Sequence, residues 1–205
     1  MDFSRSSACD DSIFIAELIN RTLANEIQWP NEQRRRELAL REPFFYGCLG
    51  FIDGTLVKIH RPANITRRKK IYGFNNTIAV DHDGLIIYID PGYAGSYQND
   101  TILKQSDLYR NWRHHFTVGD EDYFEYLLGD PGYIGADMFI MRRVDQREDV
   151  GIDGPVLNAF NKLHAGKRFQ VEWGIGGLKM KWRILQCTFP IDGPNSTSSC
   201  AVAAF

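Results

Sequence analysis

The stretch 77–89 constrains the fold of this chain more than any other. Two apolar runs of β type, 77–81 and 85–89, flank His82-Asp83-Gly84, and an Asp-Gly pair between such runs closes a hairpin. Two strands alone do not make a stable sheet in water, so others must join them. Candidates lie on both sides. Cys48-Leu49-Gly50-Phe51-Ile52 and Thr55-Leu56-Val57-Lys58-Ile59 are short β-type runs around Asp53-Gly54, and Tyr126-Leu127-Leu128 is a short strand closed by Asp130-Pro131-Gly132. Residues 138–141 form a further strand, and Pro91-Gly92 is expected to end the hairpin.

Helix-type spacing surrounds these runs. Residues 12–42 carry Ile13, Phe14, Ala16, Leu18, Ile19 and Leu23 at a 3.6-type period, interrupted at Trp29-Pro30 and resumed through Leu38 and Leu40. Ile102, Leu103, Leu108, Tyr109 and Trp112 repeat the spacing over 100–112, and 157–185 is a long helical region. A break is expected there near Gly174, Gly176 and Gly177, since each glycine costs a helix interior ~1 kcal/mol. This order of elements predicts an α/β sheet with helices packed on it. It divides into an N-terminal helical segment (1–47), a sheet domain (48–186) and a turn-rich tail (187–205) expected to be disordered.

With 43% hydrophobic residues the chain can build a core, and its longest apolar runs are far short of the ~20 residues that span a bilayer. No signal-peptide core precedes Asp10 and Asp11, and the four cysteines lack zinc-site spacing, so a soluble, reduced, intracellular protein is expected. The net charge of −2 hides segregation. Lys58, Arg61, Arg67, Arg68, Lys69 and Lys70 cluster without an acid between them. A second basic group, Lys162 to Arg183, is opposed only by Glu172, while 120–130 holds five acids and no base.

Four acids fall where elements begin or end: Asp53 after an apolar strand, Asp100 opening a helix, Asp130 closing a strand, and Glu172 on the late helix. Converging carboxylates bind hard divalent cations, and two such ions clamp both oxygens of a phosphodiester displacement. Each acid also has an ordinary reading. Asp53-Gly54 suits a hairpin turn, Asp100 suits a first helical turn, Asp130-Pro131-Gly132 suits a turn, and Glu172 suits an i,i+4 pair with Arg168. Pro131 does hold Asp130 extended at the strand end.

The segments Gly50-Phe51-Ile52-Asp53-Gly54-Thr55, Gly95-Ser96-Tyr97-Gln98-Asn99-Asp100, Leu127-Leu128-Gly129-Asp130-Pro131-Gly132-Tyr133 and Arg168-Phe169-Gln170-Val171-Glu172 with Gly177-Leu178-Lys179 occur in this order. Together they resemble the DDE-type transposases of the PIF/Harbinger group and their domesticated endonuclease-like relatives. The resemblance spans roughly 29–185. It implies an RNase H-like mixed sheet flanked by helices, with Asp53, Asp130 and Glu172 as the catalytic acids. It also implies that those three and Asp100 hold divalent metal, Mg²⁺ or Mn²⁺, as two ions. The family usually has His where this chain has Asn99. It also carries a longer N-terminal DNA-recognition region and a further helix beyond the position of Leu185. The expectation is therefore a chain shortened at both ends, without its own sequence-specific DNA-binding module.

DNA is the expected partner, gripped through phosphates by Lys58, Arg61, Arg67, Arg68, Lys69, Lys70, Arg168, Lys179 and Arg183, with a separate DNA-binding protein as a second partner. Glu172, Lys179 and Arg183 share a helix face if the late helix is continuous. Arg67-Arg68-Lys69-Lys70 fits a nuclear-import patch, so the nucleus is the expected location. His114 and His115 are read as structural. The competing functions are a metal-dependent DNA nuclease and strand-transfer enzyme, a catalytically silent interaction protein on the same fold, and an unrelated carboxylate-metal phosphatase. The last would need a nucleophilic Asp motif, and none is convincing here.

Overall fold

The computed structural model describes residues 21–22, 26–59, 72–119, 123–144 and 151–188. Pro30 and Asn31 lead into helix α1 (Glu32–Ala39), where the Asn31 side chain accepts the Arg34 backbone N–H at 2.9 Å. Strand β1 (Cys48–Ile59) follows and runs unbroken through Asp53-Gly54. The turn reading of that pair is thus corrected. The backbone instead pairs antiparallel with β2 (Tyr72–Val80), from Phe51 opposite Val80 to Ile59 opposite Tyr72. Cross-strand pairing over this length outweighs the local turn composition.

Strand β3 (Ile86–Ala94) returns antiparallel to β2 through the expected hairpin. Asp81 closes its turn: the backbone N–H donates to Leu85 O at 2.9 Å, and Oδ1 accepts the N–H groups of Asp83 and Leu85 at 2.8 and 3.0 Å. Gly84 supplies the required positive φ of 79°. Pro91-Gly92 does not end this strand. A register shift between Asn75 and Thr77 absorbs it, with Gly92 N–H donating to Asn76 Oδ1 at 3.0 Å. The proline is tolerated because β3 lies at the sheet edge.

The region expected to be one helix over 100–112 is three: α2 (Asn99–Gln105), α3 (Asp107–Arg110) and α4 (Trp112–His115). Ser106 divides the first two because its backbone is extended and its hydroxyl caps α3, accepting the Tyr109 N–H at 3.2 Å. Strand β4 (Tyr126–Gly129) then pairs parallel to β1, and β5 (Ile140–Arg142) parallel to β4. The result is a mixed five-stranded sheet in the order β3-β2-β1-β4-β5.

Helix α5 (Gly154–Lys181) is continuous through its glycines, and a 3₁₀ turn (Arg183–Gln186) follows. The expected break is absent because α5 is held by its contact with the sheet. At Gly174 a Cβ would stand only 3.0 Å from Val80 Cγ1. Arg183 lies beyond the helix end, so it does not share a helical face with Glu172 and Lys179. Residues 12–20, the basic residues Arg61, Arg67, Arg68, Lys69 and Lys70, and the tail from 189 lie outside the described residues.

Strand alternation sends neighbours to opposite faces. Leu49, Ile52, Ala79 and Leu127 pack with Leu38 of α1, Leu103 of α2 and Leu108 of α3, while Phe51, Ile78, Val80 and Leu128 pack with Val171 of α5. Trp29 seals the first layer, its indole N–H donating to His115 O at 2.6 Å, and His115 Nε2 meets Asp107 Oδ2 at 2.8 Å. Among the described residues no helix is long and apolar enough to cross a membrane.

The acidic stretch 120–130 is not uniformly a surface feature. Glu125 is 1% exposed and receives Arg35 Nε at 2.7 Å, the Thr117 N–H at 2.7 Å and the Tyr123 hydroxyl at 3.0 Å. Removing one partner of a buried pair strands the other charge, so Glu125→Ala is expected to lower the unfolding free energy by about 3–5 kcal/mol in urea titration. A loss below about 1 kcal/mol, the scale of a surface pair, would contradict this structural role.

Candidate active site

The β1–β4 ladder pairs Phe51 with Leu128, both on the α5 side of the sheet. Residues two further along a strand share that face, so Asp53 and Asp130 stand side by side just past the last paired residues. Asp130 follows β4 directly and is held extended by Pro131. Its Oδ1 accepts the Gly132 N–H at 2.8 Å, and its Oδ2 has no partner among the described residues.

Asp53 is more enclosed. Gly54 N–H donates to Oδ1 at 2.8 Å, and Arg168 Nη2, from α5, donates to Oδ2 at 2.9 Å. Both side chains of this ion pair are 18% exposed. Burial pushes the Asp53 carboxyl above its ordinary range, the negative charge of Asp130 adds to that, and Arg168 with the Gly54 amide opposes it. Arg168 therefore serves Asp53, not Glu172 one turn further along the helix. Its Nε is buried without an acceptor.

Tyr133 completes this wall from the turn after β4. It is fully buried, and its phenol is pushed well above its usual pKa by burial and by Asp53 and Asp130. Thr77 is beside the hydroxyl, yet no hydrogen bond of good geometry forms. Asn99, at the start of α2, packs on the other side. A Cβ on Gly54 would lie 2.6 Å from Asn99 Oδ1, so a side chain there would require the Asn99 amide to move. Asp100 follows and pairs with Lys104 at 3.4 Å.

Glu172 is exposed on α5, between Arg168, which reaches Asp53, and Lys179, whose Nζ donates to Leu56 O at 3.4 Å. Burial lowers the Lys179 pKa, and Lys58 nearby lowers it further, so these two cations share the strip of β1 beyond Asp53. Asp53 and Asp130 are thus brought together. Asp100 and Glu172 do not close the set: among the described residues no three His, Cys, Asp or Glu side chains are grouped so as to hold a metal ion. The donors at Asp53 and Asp130 are nonetheless hard oxygens, suited to Mg²⁺ or Mn²⁺, and the unpartnered Tyr133 hydroxyl leaves polar capacity beside them.

Tyr133 and Asn99 escaped sequence reasoning as site walls, although both lie inside the motifs. Burial of Tyr133 and the fit of Asn99 on Gly54 are properties of the folded chain.

A mixed sheet in this order, with one acid within β1, another directly after its parallel neighbour β4, and a long helix across them, is an RNase H-like arrangement. The family model described as DDE superfamily endonuclease matches residues 52–205, and the chain belongs to that family. Comparison with curated proteins and with solved structures returned no match.

The raised Asp53 pKa has a thermodynamic consequence. The folded chain binds this proton more tightly than the unfolded chain. Its contribution to stability is therefore full below the ordinary value of 3.8 and falls as pH rises through the raised value. In chelator, the thermal midpoint of Asp53→Asn is expected to gain on the wild type as pH increases from ~4 to ~8. Arg168→Gln should widen the wild-type loss toward higher pH. A constant offset between Asp53→Asn and wild type would contradict the shift.

Proposed function

We propose that this chain cleaves and joins DNA phosphodiesters in the manner of the PIF/Harbinger DDE transposases, using Mg²⁺ or Mn²⁺ held by Asp53 and Asp130. The observation that carries this reading is the approach of those two acids, Asp53 within β1 and Asp130 directly after its parallel neighbour β4, in a chain of the DDE superfamily endonuclease family. Glu172 from α5 and Asp100 from α2 are the remaining proposed ligands, and Glu172 joins Asp53 and Asp130 as the third catalytic acid. When bound, two such ions lower the pKa of a water or 3′-hydroxyl nucleophile and stabilise the leaving oxygen.

The chain's own residues have definite parts in this reading. Asp53 and Asp130 supply negative charge in a half-buried setting, where it attracts a cation more strongly than in water. Arg168 holds the Asp53 carboxylate in place. Lys58 and Lys179 line the path by which a phosphate backbone approaches Asp53, and Arg61, Arg67, Arg68, Lys69, Lys70 and Arg183 are proposed to extend it. Contacts of this kind position DNA without reading its sequence, so a separate DNA-binding partner would choose the target. Arg67-Arg68-Lys69-Lys70 would direct the chain to the nucleus.

A second reading is favoured by the Arg168–Asp53 ion pair. The pair occupies the central acid with a protein cation, as a silent interaction protein on this fold would.

Nicking of supercoiled plasmid separates the two. With Mg²⁺ or Mn²⁺ the wild-type chain is expected to nick, and Asp130→Asn, purified identically, to lose more than the roughly 10–100-fold that a supporting residue costs. Equal nicking by both would remove Asp130 from the chemistry, and none by either would favour the silent reading. Labelled duplexes of several sequences should bind weakly and alike, with affinity falling steeply as salt rises. Tight binding to one sequence at physiological salt would mean a base-reading surface on this chain.

A further inference from the structure

Both oxygens of Asp53 are engaged by the protein itself. Oδ1 accepts the Gly54 N–H at 2.8 Å, and Oδ2 accepts Arg168 Nη2 at 2.9 Å. The second engagement is incomplete. A guanidinium grips a carboxylate best through two parallel N–H bonds, whereas Arg168 reaches Asp53 through Nη2 and leaves its Nε buried without an acceptor. A buried donor left unpaired is costly. The helix beneath this side chain is nevertheless fixed. Lys167 Nζ donates to Glu42 Oε1 at 2.7 Å, His164 Nε2 meets Met141 O at 3.0 Å, and Val171 is fully buried against the sheet. What can change here is the direction of the Arg168 side chain, on a backbone that stays in place.

We propose that Arg168 is a gate on the metal site: it occupies Asp53 until a DNA phosphate draws the guanidinium away, so that divalent metal and DNA bind cooperatively. The proposal rests on the reading above, in which Asp53 and Asp130 hold the metal. A divalent cation at Asp53 and a guanidinium on its Oδ2 are like charges at one carboxylate, and each disfavours the other. Asp130 shows the contrast. Its Oδ1 accepts the Gly132 N–H at 2.8 Å, and its Oδ2 has no partner among the described residues. Asp53 is thus the guarded acid and Asp130 the open one.

A phosphate is the group suited to take Arg168 away. A guanidinium matches it bidentately and pairs more of its donors there than it does at Asp53. Arg168 and Lys179 are separated by close to three turns of α5, so they lie on the same side of the helix, about 16 Å apart along its axis. Both reach β1, at Asp53 Oδ2 and at Leu56 O. A phosphate backbone lying along this row meets both cations, and the contact with Arg168 leaves Asp53 to the metal. Linkage makes the effect mutual: the factor by which DNA tightens metal binding is the factor by which metal tightens DNA binding.

Two titrations of the full-length chain test the gate. Mn²⁺ binding without DNA, followed by the paramagnetic resonance of the free ion, is expected to tighten at least about fivefold in Arg168→Gln. Lys179→Gln removes a cation from the same side of the helix, but one farther off than the ~10 Å Debye length at 0.1 M salt, so its Mn²⁺ affinity should change less than about twofold. A labelled duplex, followed by anisotropy, should bind the wild type at least about fivefold tighter in Mn²⁺ than in chelator, and this gain should shrink in Arg168→Gln. Circular dichroism checks that the variants are folded, and the wild-type duplex measurement stands without them. Mn²⁺ binding that Arg168→Gln weakens or leaves unchanged overturns the gate, because Arg168 then serves the metal or ignores it. So does an equal gain in Lys179→Gln, a wild-type duplex affinity indifferent to Mn²⁺, or a Mn²⁺ gain that Arg168→Gln retains in full. Those outcomes leave the metal site itself standing. Failure of the underlying reading looks different: neither the wild type nor Arg168→Gln binds Mn²⁺ in a way that Asp130→Asn abolishes, and both proposals then fall.

Discussion

Strand β1 is hydrogen-bonded along both edges, antiparallel to β2 and parallel to β4. Everything else in the fold answers to that constraint. A strand in this position leaves few backbone groups to satisfy, so its neighbours are fixed in register. The parallel partner must then be reached by a crossover. Here the crossover comprises β2, β3 and the short helices α2–α4, which also cover one face of the sheet. The other face is left to α5. The parallel register sets Phe51 beside Leu128, and this is why Asp53 within β1 and Asp130 after β4 become neighbours although most of a domain separates them in sequence.

Charge is handled within this frame by local neutralisation. Arg34 reaches both Asp81 and Asp83, and Arg41 grips Asp83 through both oxygens at 2.8 Å, so α1 is fastened to the β2–β3 turn. Those arginines hold the Asp83 carboxyl below its usual range. Arg35 does the same work inward, against Glu125. The arginines of α1 are thus largely spent on the fold. Lys58 and Lys179, by contrast, have no acid partner among the described residues, and their mutual repulsion adds to burial in lowering the Lys179 pKa.

The parts of this structure legible in the sequence are those set by local chemistry. The hairpin at 77–89 could be read because Asp81, Asp83 and Gly84 build the turn from their own side chains and backbone. The α/β order of elements and the placing of the acids were legible from local spacing, whereas the mixed sheet was implied by the family resemblance. What could not be read depends on distant partners. Asp53-Gly54 has turn composition, and only the pairing of β1 with β2 makes it strand. Ser106 interrupts an otherwise acceptable helical period by capping the next helix. Gly174 is kept helical by Val80, a contact between elements far apart in sequence. Arg168 looked like a neighbour for Glu172 because i,i+4 spacing is visible in a sequence, whereas its actual partner lies 115 positions away.

The contact between Gly54 and Asn99 reaches beyond the geometry of either residue. Because the Asn99 amide fills the space a side chain at 54 would need, the two positions behave as one site with a shared volume. Enlarging either demands shrinking or moving the other. A side chain at 54 is accommodated only as the Asn99 amide turns aside, so the effect of a substitution at 54 depends on what stands at 99. Asn99 opens α2 and Asp100 follows it, so the shared volume lies between β1 and the helix that carries Asp100. Two residues that carry no charge thus stand between the acid of the strand and the acid of the helix.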